Sequence, residues 1–178
     1  NLLPSTPTIP NSPLPVLIYR GIIPYEDDRD ALVSLLTGNH FRVDSFAGAF
    51  PMKHYHSNTH ECYCFVKGST TYLLGNGDSD DKNSYGQRVK LSKGDVMILP
   101  AREAGTVHCN LDATEDMQYC AAYPKEIPHW DVKLGKEGEE QRKTDFSAAS
   151  AVQIPISDPN LCPARAAYSN MVDQEGVI

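Results

Sequence analysis

Hydrophobic positions follow two different periods along the chain, and the change falls near residue 41. Over residues 26–37, Leu32, Leu35 and Leu36 recur at helical spacing. An acidic run at 26–28 suits the N-terminal end of a helix dipole, and Gly38-Asn39 supplies a C-terminal cap. We therefore predict one short helix before the chain turns to β structure.

From residue 41 onward, short runs rich in β-branched and aromatic residues alternate with Gly, Pro, Asn and Asp. No helical pattern separates them, which argues for an antiparallel sandwich or barrel and hence an all-β fold. Eight strands are predicted, at about 41–50, 52–56, 61–67, 70–74, 87–91, 96–99, 106–111 and 117–123.

The two ends of the chain differ from this β-rich centre. The first fifteen residues contain five prolines, which predicts an extended arm leading into a short strand at 15–19. After Pro124 the pattern is mixed, and the charged stretch 136–145 is able to start a surface helix. We predict one domain, made of an arm (1–20), a barrel core (21–124) and an extension packed on the barrel (125–178).

Composition narrows the function classes without naming one. The 178 residues carry 16 Lys+Arg against 23 Asp+Glu, a net charge of -7, which disfavours nucleic-acid and membrane-surface binding. No apolar run approaches the roughly 18 residues of a membrane helix. Five cysteines, an odd number with no C-x-x-C pair, suggest buried free thiols. We expect a cytoplasmic protein.

The candidate chemistry lies in two histidines, separated by one residue, at positions 54 and 56. On a strand both imidazoles point to the same side, and the turn 57–59 brings His60 or Glu61 of the next strand beside them. Imidazoles with a carboxylate suit a first-row divalent metal. A further ligand is needed, and His108 is the other histidine inside the β-rich region.

These residues resemble the first signature motif of the cupin superfamily. The matching positions are Gly48, His54, His56, Glu61 and Gly68. The second cupin motif is matched less exactly, because residues 102–104 are extra and Asp112 stands at the usual asparagine. Its matching positions are Gly94, Pro100, Gly105 and His108. The chain is similar to a group of uncharacterised single-domain cupins of bacteria and fungi.

The resemblance implies a double-stranded β-helix, a jelly-roll barrel, with one divalent transition metal (Fe, Mn, Ni or Zn) near one end of its interior. The implied ligands are His54, His56, Glu61 and His108. The motif selects Glu61 over His60, although a distorted strand start would exchange them. Single-domain cupins commonly pair through their N-terminal strands, so a homodimer is expected.

Strand parity predicts the rest of the pocket, which suits a small organic substrate. Tyr63 is the candidate acid beside Glu61, and the extra residues 102–104 would present Arg102 to an anionic substrate. Cys62 and Cys64 should face away from the pocket. The expected substrate-contacting residues are Phe50, Met52, Phe65, Arg102, Thr106 and Asn110.

Three functions remain open on this sequence. We favour a metal-dependent enzyme, with a non-haem dioxygenase ahead of an isomerase or lyase that uses the metal as a Lewis acid. The third is a non-catalytic cupin that binds a small molecule. The motifs indicate a fold and a metal site much more specifically than a reaction.

Overall fold

The structure is a computed structural model. It describes residues 3, 6, 9, 11–12, 14–23, 28–50, 52–77, 80, 86–101, 111–136 and 138–155. The predicted strand 106–111 therefore lies, apart from residue 111, outside the described residues. The same is true of the extra residues 102–104.

The described residues form seven strands and two helices. The helices are α1 (Arg29–Gly38) and α2 (Glu139–Ser150). The strands are β1 (Leu17–Tyr19), β2 (Phe41–Ala47), β3 (Glu61–Lys67), β4 (Ser69–Leu74), β5 (Gln87–Ser92), β6 (Val96–Leu99) and β7 (Gln118–Pro124).

All strand pairs are antiparallel, and they form two sheets. The larger sheet has the order β1-β6-β3-β7-β2, and β4 pairs with β5 in the second. The central strand β3 sets Cys62 opposite Ile98 of β6 and opposite Ala122 of β7. The prediction of an all-β jelly-roll fold with a short N-terminal helix and a helical C-terminal extension is confirmed.

The larger sheet is buried on both faces. This explains why residues 62–66 of β3 are all apolar or aromatic, instead of alternating between hydrophobic and polar side chains. One face packs on the β4–β5 sheet, and Tyr63 and Phe65 of β3 meet Tyr72 and Leu91 there. The other face carries Cys62, Cys64 and Cys120 and packs on helix α1, where it meets Leu32 and Leu36. Six of the seven β3 residues are buried as a result.

Helix α1 begins later than the spacing predicted, at Arg29. Its N-cap is Asp28, whose carboxylate accepts a hydrogen bond from the Ala31 amide at 3.0 Å. Residues 24–27 lie outside the described part of the chain. At the other end Asn39 is the C-cap, and His40 takes the left-handed backbone conformation with φ of 64°. The expected C-terminal cap at Gly38-Asn39 is thus confirmed.

Two strand predictions are wrong. The run 41–50 is a strand only to Ala47, and the run 52–56 forms no strand but a single β-bridge between Tyr55 and Lys133. Within the described part of the chain, neither sheet has a strand that pairs with residues 52–56, so the period-2 pattern there forms no ladder with them. We refer to residues 52–60 as the histidine loop.

The described part of the N-terminal arm packs on its own chain. Leu3 joins the core between the two sheets, and Ile9 is fully buried against Tyr55 of the histidine loop. Cys62, Cys64 and Cys120 are buried free thiols, as predicted, while the other two cysteines lie outside the described residues. In the part of the chain that is described, no helix has the length and apolar character needed to cross a membrane.

Candidate functional site

A cavity of about 170 Å³ opens between the larger sheet, the histidine loop and residues 129–133. We call residues 129–133 the clamp segment. The lining residues include five with aromatic rings, and their polar side chains are two carboxylates, two imidazoles, one serine hydroxyl and three tyrosine hydroxyls. The lining residues are Asp44, Ser45, Ala47, Phe50, His54, His56, Glu61, Tyr63, Tyr119, Ala121, Tyr123, Trp130 and Val132.

Glu61 is the first residue of β3, and its carboxylate is buried. The Tyr123 hydroxyl donates a hydrogen bond of 2.5 Å to Oε1, and Oε2 lies 3.3 Å from Nε2 of His56. Burial and the adjacent Glu61 carboxylate raise the pKa of Tyr123, so its phenol keeps its proton. Tyr123 therefore orients the carboxylate so that one oxygen faces the imidazole.

His56 is buried, with each ring nitrogen in a different environment. Nδ1 is hydrogen-bonded to the Asp131 carbonyl oxygen, so Nδ1 carries the proton that is donated. Nε2 faces Glu61 but has no hydrogen-bond partner of good geometry among the described residues. Burial lowers the pKa of His56, but the Glu61 carboxylate outweighs it and the net shift is upward. The position facing Nε2 thus favours a positive charge.

His54 is buried at the opposite side of the loop from Tyr55 and lines the cavity. Its Nδ1 is 3.1 Å from the carbonyl oxygen of Met52, which acts as the acceptor. Burial lowers the pKa of His54, which leaves the ring neutral with its lone pair on Nε2. The His54 and His56 rings meet edge to face with centroids 5.1 Å apart.

His60 lies outside this cavity and is held by backbone groups on both sides. Its Nδ1 accepts a hydrogen bond of 2.9 Å from the Ala101 amide, and its Nε2 donates one of 3.2 Å to the Gln153 carbonyl. Burial lowers the pKa of His60 to about 4, so the ring is neutral. Both nitrogens are therefore engaged in structure, and Glu61 rather than His60 faces the cavity.

The other sequence-predicted pocket residues are distributed unevenly. Phe50 lines the cavity and contacts the His54 ring at a centroid distance of 5.0 Å. Tyr63 also lines it, buried against Tyr72 and Tyr119, whereas Phe65 is core and does not reach the cavity. Met52 is 46% exposed and outside the cavity. Its predicted placement is wrong because the loop around it is not a regular strand.

Four predicted residues cannot be placed, because they fall outside the described residues. They are Arg102, Thr106, His108 and Asn110. Within the described part of the chain, no group of three or more His, Cys, Asp or Glu side chains is placed so that it could hold a metal ion. What the described residues bring together is the His56–Glu61 pair with a second imidazole, His54, beside it.

Several residues of the site were missed from the sequence, among them Tyr123, Trp130 and Asp131. Tyr123 shares one face of β7 with Tyr119 and Ala121, so its position was available from strand parity. Trp130 and Asp131 belong to the clamp segment, where no periodic pattern marks a strand or a helix. The sequence predicted only a mixed pattern for this stretch after Pro124.

A larger cavity, of about 360 Å³, lies between the turn after β7 and the end of α2. Its described lining is mostly proline and aliphatic side chains, with Glu126 as the charged group. It contains none of the residues predicted for chemistry. We therefore place the candidate site in the smaller cavity, where imidazoles and a buried carboxylate meet.

Comparison with known proteins identifies relatives without assigning a function. No protein-family model matches the chain. The uncharacterised protein YjlB of Bacillus subtilis (strain 168) is 27% identical over 158 residues, which cover 88% of this chain and 86% of YjlB.

Among solved structures, the crystal structure of vicilin from Corylus avellana (hazelnut) matches with a TM-score of 0.37 and 12% identity. The match covers 96% of this chain and 44% of the vicilin chain, so this chain spans less than half the length of that protein. The fold assignment above rests on strand order and register in this chain.

Proposed function

We propose that this protein is a cupin-type metal-dependent enzyme that acts on a small organic molecule in the 170 Å³ cavity. His54, His56 and Glu61 would hold a divalent first-row ion (Fe, Mn, Ni or Zn). His108, outside the described residues, is the fourth ligand that the motif resemblance implies. A non-haem dioxygenase is the reaction class that we favour.

The observation that supports the proposal most is the anchoring of both imidazoles through Nδ1. The acceptors are the carbonyl oxygens of Met52 and Asp131. Histidines that bind metals usually donate the other ring N–H to a carbonyl or carboxylate, which fixes the tautomer and the ring orientation. In His56 this leaves the lone pair of Nε2 on the side of Glu61, where a metal ion would bind.

The donor set fits a cation. With Nδ1 protonated, a neutral His56 turns the lone pair of Nε2 toward a carboxylate oxygen 3.3 Å away. Two electron-rich atoms that face each other in a buried site repel, unless a proton or a metal ion lies between them. Imidazole nitrogen and carboxylate oxygen are ligands that Fe, Mn, Ni and Zn all accept.

When bound, such an ion supplies coordination for dioxygen or Lewis-acid polarisation of a substrate carbonyl. The chain's own residues define what is placed beside it. A cavity of about 150 Å³ holds a benzene ring, so 170 Å³ suits a molecule of about one ring. Tyr119, Tyr123 and Trp130 exclude water from its walls, and Asp44 and Ser45 offer polar contacts to substrate hydroxyl groups.

Few side chains in the described lining of the cavity can transfer a proton to or from a substrate. This favours an oxygenase over an isomerase or lyase. Enzymes of the latter kind need a side chain that takes a proton from the substrate and returns it. Burial raises the pKa of Tyr63 well above its usual range, and Tyr123 is tied to Glu61. Asp44 is then the main proton acceptor in the described lining.

Metal content and oxygen uptake test the proposal together. The purified protein should contain close to one divalent ion per chain and should consume oxygen with a member of a panel of single-ring catechols and small diketones. His56→Ala should lose both properties. His40→Asn is the matched control, because His40 is exposed, distant from the cavity and in a left-handed conformation that Asn tolerates.

The other functions correspond to different results. Bound metal with substrate turnover but no oxygen uptake would replace the oxygenase by an isomerase or lyase. A folded protein without metal, unaffected by His56→Ala, would refute the enzyme proposal and favour a binding module.

A further inference from the structure

Among the described residues, the histidine loop pairs with no strand of either sheet, and the contacts that hold it are of other kinds. One β-bridge joins it to the clamp segment, with hydrogen bonds of 2.9 Å in both directions between the backbones of Tyr55 and Lys133. On the side away from the cavity, Tyr55 packs on Ile9 of the N-terminal arm. These contacts hold the loop in place but do not reach the His56 ring.

A second group of contacts follows directly after His56. The Asp131 carboxylate accepts hydrogen bonds from the Ser57 amide at 2.7 Å and from the Ser57 hydroxyl at 2.6 Å. In the other direction, Asn58 accepts from the Asp131 amide at 3.1 Å and donates to the His129 carbonyl at 2.9 Å. Two residues of the loop are thus bound reciprocally to two residues of the clamp segment.

The same Asp131 supplies the backbone carbonyl that accepts Nδ1–H of His56. Its side chain therefore fixes the residue after His56 while its main chain fixes the ring itself. Both interactions depend on the position of one residue relative to the loop. We infer that Asp131 is a positioning residue, which sets the ring orientation of His56 and keeps Nε2 directed at Glu61.

The clamp segment is itself anchored to helix α2, and this contact restrains the segment that positions the histidine loop. Lys133 forms an ion pair of 3.1 Å with Asp145 of α2, and Gln141 of the same helix donates to Asp145 at 2.9 Å. The Asp145 side chain is 6% exposed, so the pair is shielded from solvent. The extension after the barrel is therefore part of the site's architecture.

Asp131→Ala tests the inference because it removes the side-chain contacts and leaves the backbone carbonyl in place. In the metal-free protein, the Nδ1–H of His56 should give a slowly exchanging ¹⁵N-coupled proton signal that disappears in the variant. Zn(II) affinity, measured by competition with a chelator, should fall about 10- to 100-fold. Asp131→Asn, which keeps an acceptor for the Ser57 amide, should recover part of that loss.

Asp28→Ala is the matched control for general destabilisation. Asp28 also accepts a backbone amide hydrogen bond, but at the start of α1, far from the cavity. It should lower stability while leaving the Nδ1–H signal and Zn(II) affinity unchanged. If Asp131→Ala does not fold, Ser57→Ala replaces it, because that change removes only the 2.6 Å bond to Asp131.

The inference rests on the proposed function only in taking His56 as a metal ligand, and the two readouts separate their failures. A wild-type protein that does not bind Zn(II), Fe(II), Mn(II) or Ni(II) refutes the proposed function, and the Nδ1–H signal then tests the anchoring alone. Persistence of that signal in Asp131→Ala would overturn the inference. So would an unchanged Zn(II) affinity of this variant in a metal-binding protein.

Discussion

Replacing His60 by alanine should destabilise the fold without removing the metal site. His60 is 1% exposed, and its two ring nitrogens satisfy the Ala101 amide and the Gln153 carbonyl. A buried backbone group that loses its partner costs about 1–3 kcal/mol, and the vacated ring volume adds to this. We expect the free energy of unfolding to fall by about 3–5 kcal/mol.

Urea unfolding followed by tryptophan fluorescence and circular dichroism measures this loss. His60→Gln should lose less, because its amide supplies one acceptor and one donor. His129→Ala is the control, since that histidine is exposed and its removal should change stability by less than about 0.5 kcal/mol. The ratio of metal to folded protein should stay as in the wild type.

Two results would refute this reasoning. A destabilisation below about 1 kcal/mol would show that the two backbone groups find other partners, so that His60 does not connect them. The second is loss of metal from folded His60→Ala with metal retained in Glu61→Ala. This would make His60 the metal ligand and Glu61 the structural residue.

Three further predictions concern different parts of the molecule. In the metal-free protein, the lowered pKa of His60 means that the unfolded state takes up a proton first as the pH falls. The contribution of His60 to the free energy of unfolding should be constant above its ordinary pKa of 6.5 and fall by about 3 kcal/mol by pH 4. The difference in urea midpoint between wild type and His60→Gln, followed with pH, isolates this contribution from that of other groups. Tyr123→Phe removes the hydroxyl that donates to Glu61 and should weaken Zn(II) binding about tenfold. Tyr119→Phe, on the same wall of the cavity, should leave Zn(II) affinity unchanged. Equal Zn(II) affinities of Tyr123→Phe and the wild type would show that Tyr123 does not orient the carboxylate. Leu36→Ala, in the core between α1 and the larger sheet, should lower the free energy of unfolding by about 2–5 kcal/mol, measured with urea, and leave Zn(II) affinity unchanged. Loss of Zn(II) binding in the folded variant would show that this core and the candidate site are not independent.

Where a ladder exists, the sequence predicted the fold closely. The bounds predicted for β3 and β6 match, and alternation along β3 correctly separated Tyr63 on the cavity side from Cys62 and Cys64 on the helix side. The face of each residue follows from the pleat once a strand has neighbours on both sides. Alternation alone requires only that one of the neighbours His60 and Glu61 faces inward, and the choice of Glu61 came from the resemblance to the cupin motif.

The histidine loop could not be predicted in the same way. Residues 52–56 alternate like a strand, but alternation does not reveal whether a neighbour is present to accept the hydrogen bonds. The actual partners lie about 75 residues later, in a segment without periodicity, and they are recognised by single contacts such as Ser57 to Asp131. Met52 was misplaced and Asp131 overlooked for this one reason.

The two halves of the candidate site are consequently held by different means. Glu61 starts the central strand of a sheet that is buried on both faces, so its carboxylate moves only if the sheet does. His54 and His56 lie on a loop whose position depends on Ile9, Lys133 and Asp131. Changes in the arm or in the extension should therefore act on the imidazoles and leave the carboxylate in place. If the proposed metal site is occupied, its affinity is then set as much by these two flanking segments as by the barrel between them.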